Sequence, residues 1–145
     1  MAKATVAVVR KMEQETMRDT IRRAVDMIGG FSRFVKRGNT VLVKPNLIGG
    51  EPVPGTMTDP TVVKAVCDLA YEAGASRIIV GDSCHVGGDT TDYAKTMGFL
   101  DILKGTPYEF VHETDQAYFR GIFPGIICHP HYGHGIAACA TQSEA

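Results

Sequence analysis

Short, uninterrupted apolar runs rich in β-branched residues alternate along the chain with segments of helical periodicity. The runs are Thr5–Val9, Thr40–Lys44, Arg77–Val80 and Tyr108–Val111. A strand without polar alternation is typical of a sheet that is covered on both faces. Because such strands alternate with helices, we predict a doubly wound α/β fold, a partial Rossmann-like domain. Its mainly parallel sheet is expected to have about four strands, with helices on both faces.

The helical segments carry recognisable start and stop signals. From Thr16 onward, apolar residues recur at helical spacing as far as Ile28, where Gly29-Gly30 ends the pattern. A second helix is predicted to begin at Thr58-Asp59-Pro60, since capping side chains precede a proline at the first helical position. Gly74 is expected to end that helix.

The charge distribution changes near the end of the chain. The 145 residues include 15 Lys+Arg and 16 Asp+Glu, yet only Arg120 and Glu144 are charged after residue 115. We therefore predict an α/β domain over residues 1–115 and a charge-poor tail over residues 116–145, without a clear helical or strand period.

Composition also excludes several classes of partner. A net charge of -1 without runs of like charge argues against nucleic-acid binding. No apolar stretch approaches the roughly 20 residues of a membrane helix, and the first apolar run is too short for a signal peptide. We therefore expect a cytoplasmic protein that binds neither nucleic acid nor a membrane.

Polar residues collect where the predicted strands end and the following helix begins. In parallel α/β sheets, ligands bind beyond the carboxyl ends of the strands. The sequence therefore predicts a site for a small anionic or polar ligand, formed by Lys44, Asn46, Thr58, Asp82 and Ser83. The alternative is that these residues are an ordinary strand-end lysine, turn residues and helix caps.

The tail holds a second set of candidate residues. Thiol and imidazole groups are ligands for zinc or iron, and five of them lie close together here: Cys128, His129, His131, His134 and Cys139. Their spacing matches no standard zinc finger. The chain could thus be a non-catalytic metal-binding module, the alternative being a poorly packed tail without metal.

Four sequence blocks resemble a prokaryotic family known as domain of unknown function 362. The blocks are Val41–Leu47, Thr58–Val63, Ala73–Ala75 and Ile79–Ser83, and the similarity extends to about Thr114. The resemblance implies a redox or iron–sulphur setting, because family members are often joined to a ferredoxin-like module with two four-iron clusters. It thereby implies a ferredoxin-like partner or a cluster supplied by another module, and it leaves open whether the chain is an enzyme.

The resemblance also bears on the site and on the extent of the chain. Lys44, Asn46, Thr58, Asp82 and Ser83 match recurrent polar positions of the family. Family members continue with further strands, so the chain corresponds to roughly the N-terminal half of the family domain. It is then a natural short variant, a frame-shifted product or a truncated fragment without activity of its own. Since half a sheet leaves an edge unpaired, we expect self-association.

Overall fold

The computed structural model describes residues 4–47, 55–82 and 89–112. Within them, three strands alternate with helices in the order that the sequence predicts. The elements are α1 (Met17–Asp26), α2 (Phe31–Phe34), β1 (Thr40–Val43), α3 (Pro60–Glu72), β2 (Arg77–Asp82), α4 (Thr90–Thr96), α5 (Phe99–Leu103) and β3 (Glu109–His112). The tail predicted over residues 116–145 lies outside the described residues.

The three strands form one parallel sheet in the order β1-β2-β3. Val43 of β1 is paired with Val80 of β2, and Asp82 of β2 is paired with His112 of β3. All three strands therefore end at one edge of the sheet, hereafter the carboxyl edge. The α/β class with a parallel sheet is confirmed, with three strands in the described residues.

The prediction of a strand over Thr5–Val9 is wrong. This segment is described without regular secondary structure, and Val6 and Val8 are 80% and 85% exposed. A strand needs a hydrogen-bonded neighbour, and no strand of the described residues pairs with this segment. High β-propensity alone therefore did not make it part of the sheet, because propensity reflects packing on a sheet surface.

Local signals set the helix boundaries as the sequence predicts. The Thr16 hydroxyl accepts a hydrogen bond from the Asp19 N–H (3.1 Å) at the start of α1. Asp59 caps α3 in the same way. Gly74 follows α3 with a φ of +111°, and a Cβ there would lie 3.1 Å from the Arg37 Cα. Only glycine accommodates both this conformation and this close approach.

The core lies between the sheet and the crossover helices. α3 contacts β1 and β2, α5 contacts β3, and the two helices contact each other, so both crossovers lie on one face. Ile78 and Val80 of β2 are buried there against Val63 and Cys67 of α3 and Phe99 of α5. α1 packs on α3.

Among the helices of the described residues, none is both long enough and apolar enough to span a bilayer.

Candidate functional site at the carboxyl edge

The carboxyl edge brings Lys44 and Asp82 together. Lys44 directly follows β1, and Asp82 is the last residue of β2. The Lys44 Nζ donates a hydrogen bond to the Asp82 Oδ1. The Asp82 side chain is only 3% exposed, whereas that of Lys44 is 27% exposed. The carboxylate is therefore almost completely removed from water, while the Lys44 side chain remains partly exposed.

A backbone group holds the other oxygen of Asp82. The Leu47 N–H donates to the Asp82 Oδ2 over 2.7 Å, and Leu47 itself is 1% exposed. Hydrogen bonds to both oxygens fix the orientation of the carboxylate, which in turn orients Lys44. An ammonium group has three N–H donors, so two remain after the bond to Asp82. The sequence analysis missed Leu47, since its contribution is a backbone N–H that no side-chain pattern reveals.

Asn46 and Thr58, which lie after β1 and before α3, are joined by two hydrogen bonds. The Asn46 N–H donates to the Thr58 Oγ1 (2.9 Å), and the Thr58 N–H donates back to the Asn46 carbonyl (3.2 Å). The Asn46 Nδ2 donates to the Thr56 carbonyl (2.7 Å). These bonds join residues ten to twelve positions apart. In this arrangement Asn46 and Thr58 shape the chain beside Lys44.

The Asp59 side chain accepts hydrogen bonds at the first turn of α3, as a helix cap does. The Asp59 Oδ1 accepts hydrogen bonds from the Thr61 N–H (2.7 Å) and the Thr61 hydroxyl (2.6 Å). An aspartate at this position also offsets the partial positive charge of the helix start. Among the described residues of this edge, Lys44 is therefore the group best suited to attract an anion.

The remaining predicted site residues cannot be placed with these. Ser83 lies outside the described residues, as do the five tail residues predicted to bind metal: Cys128, His129, His131, His134 and Cys139. Within residues 4–47, 55–82 and 89–112, no group of three or more His, Cys, Asp or Glu side chains could hold a metal ion.

The strand register adds a residue that the sequence analysis did not single out. His112 ends β3 and is the ladder partner of Asp82. The sequence analysis ended this strand at Val111, one residue too early to include it. The signal that would have found it is the position of a polar residue directly after an apolar strand, the same signal that identified Lys44.

A second polar cluster links α3 to the beginning of β3. The Tyr108 hydroxyl donates to the Asp68 Oδ1 (2.6 Å), and the Lys64 Nζ donates to both oxygens of the same carboxylate (2.6 Å each). Burial, with the hydrogen bond to Asp68, raises the pKa of Tyr108. Burial also raises the pKa of the neighbouring Cys67 thiol to about 12, so this thiol stays protonated at neutral pH.

The comparisons with known proteins identify the family. The profile described as Domain of unknown function (DUF362) matches residues 41–127, more than half of the chain. The chain belongs to this family. The match begins inside β1 and includes Lys44, Asn46, Thr58 and Asp82. The DUF362 region therefore contains the whole described carboxyl edge, including His112.

A curated relative extends well beyond this chain. The protein named Thylakoid-associated protein sll1697, from Synechocystis sp., is 35% identical over 120 residues. The aligned region covers 81% of this DUF362 chain and 35% of the relative. The chain thus spans about a third of the length of that relative. No solved structure matches the chain.

Proposed function

We propose that this DUF362 chain binds a small anionic ligand at the carboxyl edge of its sheet, with Lys44 as the anion-binding group. The observation that carries the proposal is the pairing of a partly exposed Lys44 side chain with a buried Asp82 carboxylate at the ends of adjacent parallel strands. This is the edge at which open α/β sheets bind their ligands.

The unequal burial of the pair favours an anion over a cation. Asp82 is 3% exposed and both of its oxygens already accept hydrogen bonds, from Lys44 and from the Leu47 N–H. A metal ion would have to displace these donors. Lys44 is more exposed and has two further N–H donors, so an anion can bind it without breaking the contact with Asp82.

Asp82 then serves as a positioning residue. A lysine side chain that is free in solution loses considerable rotamer entropy when it binds a ligand. Because Asp82 already holds Lys44, much of that loss has occurred before the ligand arrives. The opposing charge of Asp82 weakens the attraction for an anion, so moderate affinity is expected rather than very tight binding.

The redox or iron–sulphur association, the ferredoxin-like partner and the cytoplasmic location remain proposals, and family resemblance is the support for the first two. The rival proposal is a metal-binding module formed by the tail. Zinc and iron analysis of untagged protein, repeated after Cys128→Ala and His131→Ala, tests it. A metal content that is lost in both variants supports the tail site, and no metal in the parent protein contradicts it.

The anion proposal is tested by calorimetric titration of the full chain with phosphate and sulfate. Lys44→Gln is expected to weaken binding about tenfold or more, since it removes a charge-assisted hydrogen bond. Lys104→Gln is the matched control, because it removes the same charge from an exposed position that follows α5, near the opposite end of the strands.

The stability of each variant must be measured beside its affinity. Lys44→Gln leaves Asp82 without its cationic partner, so the titrations are run well below the melting temperature of each protein. Equal affinity in Lys44→Gln and the parent chain would show that the Lys44–Asp82 pair has a structural role and does not bind the anion. No binding of either anion by the parent chain would contradict the proposal outright.

A further inference from the structure

The chain from Lys44 to Leu47 is held by two different parts of the fold. The Lys44 Nζ and the Leu47 N–H both donate to the Asp82 carboxylate. Between them, Asn46 is bound to Thr58 on both sides. Its N–H donates to the Thr58 Oγ1 (2.9 Å), and its carbonyl accepts from the Thr58 N–H (3.2 Å). Thr58 thus holds the two peptide groups that flank the Asn46 Cα.

One of these peptide groups also carries the Leu47 N–H. The Asn46 carbonyl and the Leu47 N–H belong to one planar trans unit, in which they point in opposite directions. Because the carbonyl faces Thr58, the Leu47 N–H faces away from Thr58, toward the Asp82 Oδ2. The Thr58 hydroxyl fixes the preceding peptide group through the Asn46 N–H. With both groups fixed, the backbone of Asn46 has little freedom to turn the Leu47 N–H away from the carboxylate.

We propose that Thr58 is a positioning residue of the anion site, which raises the affinity of Lys44 for an anion without touching the anion. The inference rests on the proposed function, in which Lys44 binds the anion. The Thr58 hydroxyl fixes the backbone of Asn46, and this backbone directs the Leu47 N–H. That N–H in turn fixes one oxygen of Asp82, whose other oxygen holds Lys44.

The physical basis is the rotational freedom of an aspartate carboxylate. Its terminal torsion has broad minima, so hydrogen bonds decide where the two oxygens point. Asp82 is 3% exposed, so water has little access to replace a lost donor. Without a fixed N–H on Oδ2 the carboxylate can turn, and Lys44 is no longer held in one place. The lysine side chain then loses more conformational entropy when an anion binds, and the affinity falls.

Three substitutions of Thr58 separate the role of its hydroxyl from that of its methyl group. Thr58→Val keeps the shape but removes the acceptor for the Asn46 N–H, Thr58→Ala removes both groups, and Thr58→Ser keeps the hydroxyl. The full chain is titrated with sulfate by calorimetry. We expect Thr58→Val and Thr58→Ala to bind sulfate about fivefold more weakly than the parent chain, and Thr58→Ser to differ by less than about twofold, since only the hydroxyl makes the hydrogen bond.

Thr61→Val is the matched control. It removes a threonine hydroxyl at the same end of α3, but the partner of that hydroxyl is Asp59 and not the chain after β1. Its affinity for sulfate should equal that of the parent chain. A loss as large as that of Thr58→Val would overturn the inference, because any change at the start of α3 would then have the same effect.

Hydrogen exchange of the ligand-free chain tests whether the effect passes through Leu47. The Leu47 amide is followed by NMR beside that of Ile79, a fully buried residue of the central strand β2. Thr58→Val should speed the exchange of the Leu47 N–H about tenfold and leave that of Ile79 unchanged, because only the first depends on the Asn46 backbone. Equal acceleration at both amides would overturn the inference, since it would indicate a general loss of stability.

The remaining outcomes separate this inference from the proposed function. If the parent chain binds sulfate through Lys44 and Thr58→Val binds it as tightly, Thr58 is excluded and the Lys44 proposal stands. If Thr58→Val binds sulfate more weakly but its Leu47 amide exchanges as in the parent chain, Thr58 contacts the anion directly and the positioning role is wrong. If the parent chain binds no sulfate, the proposed function fails, and this inference fails with it.

Discussion

The two ends of the sheet each carry an ion pair between neighbouring strands, and the two pairs differ in burial. At the carboxyl edge, Lys44 pairs with Asp82, whose side chain is 3% exposed. At the opposite end, Arg77 of β2 donates through Nε and Nη2 to both oxygens of Glu109 of β3, at 2.8 and 2.7 Å. The side chains of that pair are 37% and 43% exposed. Similar charges thus occupy very different environments.

The difference shows what burial adds to an ion pair. Arg77 and Glu109 are each more than a third exposed, so separating them exchanges protein contacts for water contacts at little cost. Asp82 is 3% exposed and its two oxygens accept hydrogen bonds from Lys44 and from the Leu47 N–H, so it cannot regain water while these contacts hold. The Arg77–Glu109 pair therefore adds little stability. The Lys44–Asp82 pair, with the Leu47 N–H, joins the end of β2 to the residues that follow β1.

The largest effect should come from removing the buried carboxylate. Asp82→Ala leaves Lys44 without its partner and the buried Leu47 N–H without an acceptor. We expect the free energy of unfolding to fall by about 3 kcal/mol, as measured by urea denaturation. Asp82→Asn keeps an acceptor for Leu47 and should lose clearly less. A loss below about 1 kcal/mol in Asp82→Ala would mean that the buried ion pair stabilises the fold no more than the pair at the other end of the sheet.

An intermediate effect is expected at the start of β3, from Tyr108→Phe. This change removes the hydrogen bond to Asp68 and should cost about 1 kcal/mol of unfolding free energy. Burial raises the pKa of Tyr108, so its neutral form is favoured in the folded state. Its contribution to stability is therefore complete below the unfolded pKa near 10 and is lost as the pH rises above it.

The loss of stability at alkaline pH tests the role of Tyr108, with Tyr71→Phe as the control. Urea denaturation at pH 8 and pH 10.5 should show a loss of stability in the parent chain that is smaller in Tyr108→Phe. Tyr71→Phe retains the hydroxyl of Tyr108 and should behave as the parent chain does. Equal losses in the parent chain and in Tyr108→Phe would mean that Tyr108 does not contribute to the alkaline transition.

The smallest effect is expected from the Arg77–Glu109 pair, the more exposed of the two. Replacing Glu109 by Gln separates the charges with little change of volume, and the stability should fall by about 0.5 kcal/mol at low salt. The difference should shrink further in 1 M NaCl, because salt screens exposed charges. A loss as large as that of Asp82→Ala would mean that burial does not explain the contrast between the two ends.

The sequence predicted the described elements well because their signals act within a few residues. Asp59-Pro60 marks the start of α3 through local capping, and Gly74 ends it through its positive φ. The run Thr5–Val9 shows where such signals fail. Its composition favours a strand, but a strand exists only if a partner lies beside it, and no local pattern supplies that information.

The candidate site likewise has features that the sequence predicts and features that it does not. The sequence by itself determined that Lys44 and Asp82 follow apolar strands, and that a parallel sheet would bring those strand ends to one edge. Only the tertiary structure decided that Asp82 is buried, that Leu47 donates to it and that His112 is its neighbour in the ladder. The physical reason is the separation along the chain over which each kind of interaction acts. Capping and periodicity act between near neighbours in the chain, whereas burial and register depend on residues 30 or more positions apart.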